Sequence, residues 1–140
     1  MVPVVIEPTF GVDRALFTLL LDAYLEKKDK DETKTILQLS PILAPVKAAV
    51  FPLVKKEGLA EKARQVHQTL VQHVQGLVLY DEDGSIGRRY ARVDEIGCPY
   101  AITIDFQTKE DDTVTVRERD SGAQTRVLIK ELPHHLTTRL

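Results

Sequence analysis

The chain has 140 residues, 43% of them hydrophobic, enough for one domain-sized core with a short appendage. A formal net charge of −2 excludes the strongly basic profile of many autonomous nucleic-acid binders, so any nucleic-acid contact must rest on a local patch. The single cysteine, Cys98, excludes an internal disulfide framework and a zinc cluster and suits a reducing cytosol.

Val2 to Ile6 is a short β-branched run ending at Glu7-Pro8, which predicts a strand and a turn. Val12 to Lys28 contains neither Pro nor Gly and is rich in leucine and alanine, which predicts a helix that is apolar nearly all round. Such a helix belongs inside a larger body, and the residues after it have a core of their own. The expectation is therefore a piece of something longer. Glu7, Asp13 and Asp22 argue against a secretory leader, and no apolar run reaches the ~18 residues of a membrane span.

The run KKDKDETK, Lys27 to Lys34, has no apolar residue and predicts a solvated linker or hairpin loop, hence a boundary. Beyond it strand and helix alternate. Lys47 to Val54 predicts a buried strand, Leu59 to Val74 a helix, and Leu77 to Tyr80 another strand. A second helix is expected from Ile86 to Ile96, with Ser85 as N-cap and Gly97 as its stop. Ala101 to Phe106 and Thr113 to Glu118 predict strands, Asp120-Ser121-Gly122 a turn into a strand at Thr125 to Ile129, and Glu131 to Leu140 a closing helix.

Three stretches carry a resemblance to a known family. VIEPTFGVDR, Val5 to Arg14, resembles motif 3 of class II aminoacyl-tRNA synthetases in its glycyl form. DGSIGRRYARVDEIGCPYAITIDF, Asp83 to Phe106, followed by DTVTVRERDSG, Asp112 to Gly122, resembles the anticodon-binding domain of the same enzymes, as does LAPVKAAVFPL, Leu43 to Leu53. The resemblance implies an α/β fold: a three-layer anticodon-binding domain with a mixed five-stranded sheet flanked by helices, its fourth strand antiparallel to the others. It also implies that residues 1–35 are the strand and helix closing a catalytic domain and that 36–140 form the anticodon-binding domain. Motifs 1 and 2 are absent from the sequence, so the chain alone is not expected to aminoacylate.

The same resemblance assigns roles in a full enzyme, a cytoplasmic homodimer that ligates glycine to its tRNA using ATP with Mg²⁺. Arg14 and Gly11 would serve ATP, and Glu7 and Thr9 would receive glycine. Thr9 stands where the family commonly has Ser, which keeps the hydroxyl. A plainer reading of Glu7, Asp13 and Arg14 is helix capping, with Asp13 favoured by the dipole. The implied partners are glycine tRNA and the remainder of the catalytic domain, with no membrane. An accessory or protein-interaction subunit of the same fold is the alternative.

On the second helix, Arg92 and Glu95 fall within about 40° of Arg88, while Ile86, Tyr90 and Val93 fall opposite and can pack on a sheet. Glycine anticodons carry two adjacent cytosines, which the resemblance implies this domain reads. A carboxylate accepts from the exocyclic amine while an arginine donates to the ring nitrogen or carbonyl. Glu95, Arg88 and Arg92 supply that pattern, Asp94 is placed behind Glu95, and Arg89 is expected to project sideways to a phosphate or loop. A surface helix with internal Arg–Glu pairs is the plain alternative. Arg117 and Arg119 share a strand face near the hairpin tip, either flanking the RNA loop or keeping an edge strand solvated. No metal site is expected: His67 and His73 do not share a face, His134-His135 reads as a solvated pair, and Cys98 as a small buried residue.

Overall fold

A computed structural model describes residues 2–29 and 32–140. The elements in order are α1 (Val12–Ala23), β1 (Tyr24–Asp29), β2 (Glu32–Leu37), β3 (Val46–Pro52), α2 (Leu59–His73), β4 (Leu77–Tyr80), α3 (Ile86–Glu95), β5 (Tyr100–Ile104), α4 (Thr108–Asp111), β6 (Thr113–Glu118), β7 (Gln124–Leu128) and α5 (Leu132–Thr137). A single 3-10 turn at Ile129–Glu131 leads into α5.

Strands β3 to β7 form one sheet in the order β4-β3-β5-β6-β7. β3 is parallel to both β4 and β5, whereas β6 is antiparallel to both its neighbours, so the fourth strand alone runs against the rest. β3 is an interior strand, buried on both faces: Ala48, Ala49, Val50 and Phe51 have no exposed surface. Alternation sends Ala48 and Val50 towards α2 and α5, where Leu59, Ala63, Val66, Leu70, Leu132 and Leu136 complete the larger core. Ala49 and Phe51 face the other way, onto Val93, Tyr90 and Ile86 of α3. Val46 joins this second cluster despite its even number, because the register shifts between Val46 and Ala48. The result is helix, sheet and helix in three layers, as expected.

The first part of the chain departs from its sequence reading. Val2 to Ile6 is not a strand, since no partner strand pairs with it among the described residues; Val4 and Ile6 are almost wholly exposed. α1 ends at Ala23, where the Tyr24 N–H bonds to the Leu20 carbonyl and the backbone turns extended. The expected continuation to Lys28 is instead β1, antiparallel to β2 from Tyr24↔Leu37 to Asp29↔Glu32. The charged run is thus largely strand rather than linker: Thr33, Thr35 and Ile36 supply β-branched positions, and only Ile36 of these is buried. Lys30 and Asp31, in the middle of that run, lie outside the described residues. The apolar surface of α1 does lack cover, with Leu16, Phe17 and Leu21 more than half exposed and only Ala23 buried.

Helix α3 follows its sequence reading closely. The Ser85 Oγ accepts from the Arg88 backbone N–H at 3.4 Å. At the other end Gly97 takes φ +79°, the Cys98 N–H reaches the Val93 carbonyl at 2.9 Å, and the Gly97 N–H reaches the Asp94 carbonyl at 3.2 Å, the paired bonds of a left-handed helix stop. A Cβ at Gly97 would also stand 3.0 Å from the Leu37 carbonyl, so glycine is what lets the end of β2 lie against α3. α4 was not foreseen; the Asp105 carboxylate, which accepts from the Thr108 N–H at 3.1 Å, starts that short turn.

Asp105 also accepts from Arg126, Nη1 to Oδ2 at 2.6 Å, tying β7 to the end of β5. Burial raises the Asp105 carboxyl, but the Arg126 guanidinium and the Thr108 N–H outweigh it and hold it below the usual carboxylate range. A carboxyl lowered on folding contributes stability above its unfolded value of about 4 and loses it as pH falls through the folded value. The urea midpoint is therefore expected to fall between about pH 7 and about pH 3. Asp105→Asn should lower the midpoint at neutral pH and flatten that decline; an unchanged slope would remove Asp105 as its source. Cys98 gives a second check. It is buried, its thiol pushed up to about 12 by that burial, so a thiol-reactive dye should label it only as fast as the chain unfolds. Rapid labelling of the folded chain would mean that the α3–β5 junction is open.

Candidate nucleic-acid interface

The amphipathic reading of α3 holds. Val93 is 4% exposed, Ile86 and Tyr90 pack with it on Phe51 and Ala101, and the Tyr90 hydroxyl lies 2.7 Å from Thr103 Oγ1. Arg88, Arg92 and Glu95 are exposed on the outer side. Their situations differ. Arg88 and Glu95 have no ion pair among the described residues. Arg92 is clamped: Nε and Nη2 lie 3.1 and 2.5 Å from Asp81 Oδ2, and Nη2 lies 2.6 Å from the Asp83 carbonyl. Burial raises the Asp81 carboxyl, yet the Asp83 backbone N–H and Arg92 outweigh that and hold it below the usual carboxylate range.

Four expected contacts are corrected or redrawn. Arg89 does not project sideways. It is 3% exposed and donates to the Pro52, Leu53 and Gly84 carbonyls, with its guanidinium 5.9 Å from the Phe51 ring centre. The reason is rotation: one position beyond Arg88, it faces the carboxyl ends of the strands, where free carbonyls await a donor. Asp94 is 7% exposed and receives Arg117 in a two-point bond, at 2.9 and 3.0 Å. Arg117 also lies over the Tyr90 ring at 4.8 Å. Arg119 is 3% exposed, donating from Nη1 to the Gly97 carbonyl and from Nη2 to the Leu39 carbonyl, both at 2.8 Å, as well as to Asp120. Arg117 and Arg119 do point to one side, towards α3, but β6 is an interior strand, so the solvated-edge reading fails.

The structure adds a wall that sequence reasoning missed. Thr33, Lys34 and Thr35 of β2 stand across a polar cleft of about 420 Å³ from Arg88 and Glu95, with Asp94 lining it as well. The threonine alternation within a charged run was the available signal; the acidic and basic neighbours hid it. Glu7, Thr9 and Gly11 lie on the exposed segment leading into α1, and Arg14, in the first turn of α1, lines a shallow groove with Thr18 and Asp22. Among the described residues no group of three His, Cys, Asp or Glu side chains could hold a metal ion. His67 and His73 bond separately to the Val78 and Thr69 carbonyls. His135 is half-buried rather than solvated, and burial lowers its pKa. No helix among the described residues is long and apolar enough to cross a membrane.

The chain is 47% identical over 144 residues to a glycine–tRNA ligase of Rhodopirellula baltica, a match covering 99% of this chain and 26% of that protein. It is 50% identical over 144 residues to a glycine–tRNA ligase of Thermobifida fusca, covering 99% and 31%. The chain thus spans less than a third of these relatives. The crystal structure of the RNA binding domain of threonyl-tRNA synthetase from Cryptosporidium parvum Iowa II superposes with a TM-score of 0.65 at 22% identity, over 73% of this chain and 25% of that one, a likeness of fold. Residues 47–139 match the family described as the anticodon binding domain, and to that family the chain belongs.

Proposed function

We propose that this chain is the anticodon-reading part of a glycine–tRNA ligase, and that the polar cleft between α3 and β2 receives a cytosine of the glycine anticodon. What supports this most directly is the pairing of an exposed guanidinium, Arg88, with an exposed carboxylate, Glu95, on one cleft wall. Together they match the acceptors and the amino donor of cytosine. Asp94, held by Arg117, supplies a fixed floor carboxylate beside them. Arg89 and Arg119 are buried, do not line the cleft and would not reach the base.

Residues 1–35 belong, in this reading, to the closing elements of the ligase's catalytic domain, although β2 runs across that division without a break. Arg14 and Gly11 would bind ATP, with Mg²⁺, and Glu7 and Thr9 would bind glycine. In this chain these residues stand on an open segment and do not enclose a ligand, so they fit such roles only with further walls from the rest of the ligase. A cytoplasmic homodimer belongs to the same proposal. Likeness to glycine–tRNA ligases along 99% of the chain, the α1 segment included, favours this over an accessory subunit.

The full chain should bind glycine tRNA and lose about tenfold in affinity when one of the two anticodon cytosines, the one seated in the polar cleft, is replaced. Glu95→Ala should erase that preference while moving stability by less than about 0.5 kcal/mol. Asp94→Ala, which strands the half-buried Arg117, should cost about 3 kcal/mol in denaturation. Equal affinity for the original and substituted tRNAs would reject the proposal.

A further inference from the structure

Arg92 was expected to read a base edge, but its bonds to Asp81 and the Asp83 carbonyl commit its Nε and Nη2 donors within the protein. What the clamp leaves is a guanidinium plane held in place, a surface on which an unpaired base stacks. That plane borders a second cleft, of about 470 Å³, on the side of α3 away from β2. Leu79, Val93 and Ile96 give it an apolar lining, and Asp81, Arg92 and Glu95 supply polar groups. The hollow exists because β4 is the outermost strand: Leu79 faces α3 with no strand beyond it, and Ile96, just past the helix, is 42% exposed. An apolar hollow of this size bordered by a fixed guanidinium suits a planar aromatic ring better than an ion or a phosphate. Glu95 lines both clefts, so the two are neighbours across a single side chain.

We propose that this second cleft seats another unpaired base of the same RNA loop by stacking on Arg92 against Leu79 and Ile96, while its neighbour is read in the polar cleft. The inference rests on the anticodon reading proposed above and adds a division of labour to it. One base is recognised by its edge and the adjacent one by its face, with the strand crossing α3 at Glu95.

The test uses the full chain and glycine tRNA carrying the fluorescent analogue pyrrolocytosine at one or the other of the two anticodon cytosines. Binding should quench one of the two positions through stacking. Ile96→Ser, a change at an exposed side chain, and Arg92→Lys, which keeps the charge and removes the plane, should each abolish that quenching and weaken binding about tenfold. Neither should alter the salt dependence, because stacking neutralises no phosphate. Quenching and affinity unchanged in both variants would overturn the stacking site while leaving the anticodon reading intact. Equal binding of unmodified and cytosine-substituted tRNAs by the wild-type chain would overturn both.

Discussion

The buried Arg119 guanidinium is the junction on which the candidate site depends. It donates to the Gly97 carbonyl where α3 stops, to the Leu39 carbonyl just after β2, and to Asp120 at the turn between β6 and β7. Three segments far apart in sequence are thereby fixed to one planar group. Each carbonyl it satisfies would otherwise be a buried acceptor without a partner, a cost of about 1–3 kcal/mol apiece. The Arg119 guanidinium in turn holds the Asp120 carboxyl below the usual carboxylate range. Gly97 completes the arrangement by letting the Leu37 carbonyl approach where any side chain would stand. Without this junction β2 would lose a buried anchor beside α3, and one wall of the polar cleft would be less firmly held.

The arginines of α3 show how one helical turn separates structure from function. Arg88 and Arg89 are adjacent in sequence, yet one is exposed above the cleft and the other is buried against the strand ends. Arg92 returns to the outer side and is pinned there by Asp81. Asp94 and Glu95 divide in the same way, the first locked to Arg117 beneath the surface and the second open to solvent. A two-point guanidinium–carboxylate bond under the rim fixes the height at which the outer groups stand.

Apart from the short α4, the strand and helix order from β3 onward was legible because each element there carries its own period and punctuation. Ser85 and Gly97 bracket α3, and Asp120-Ser121-Gly122 turns β6 into β7. The outward face of α3 followed from angular arithmetic alone. What stayed hidden has a common cause: it depends on partners distant in sequence. Helix spacing cannot tell that Arg89 meets carbonyls of Pro52 and Leu53, or that Asp94 finds Arg117 on another strand. A hairpin loop was one reading of the charged run, but the strand pairing of β1 with β2 stayed hidden because its charges read as solvent. Conversely, Val2 to Ile6 has the composition of a strand and, among the described residues, no partner to make it one.

The near-neutral charge of the chain bears on how such a surface can discriminate. Most of its arginines are neutralised internally: Arg64 by Glu82, Arg92 by Asp81, Arg117 by Asp94, Arg119 by Asp120, Arg126 by Asp105 and Arg139 by Glu118. Lys55 and Lys62 meet Asp83 and Asp112. Such pairs add little attraction for a phosphate backbone, whose pull on a protein depends on cations free to replace its counterions. With a formal net charge of −2, the chain offers RNA in general little net attraction. In the proposed reading affinity then comes from contacts that distinguish one base from another, a part given there to Arg88 and Glu95, which have no ion pair among the described residues, beside the Arg92 plane.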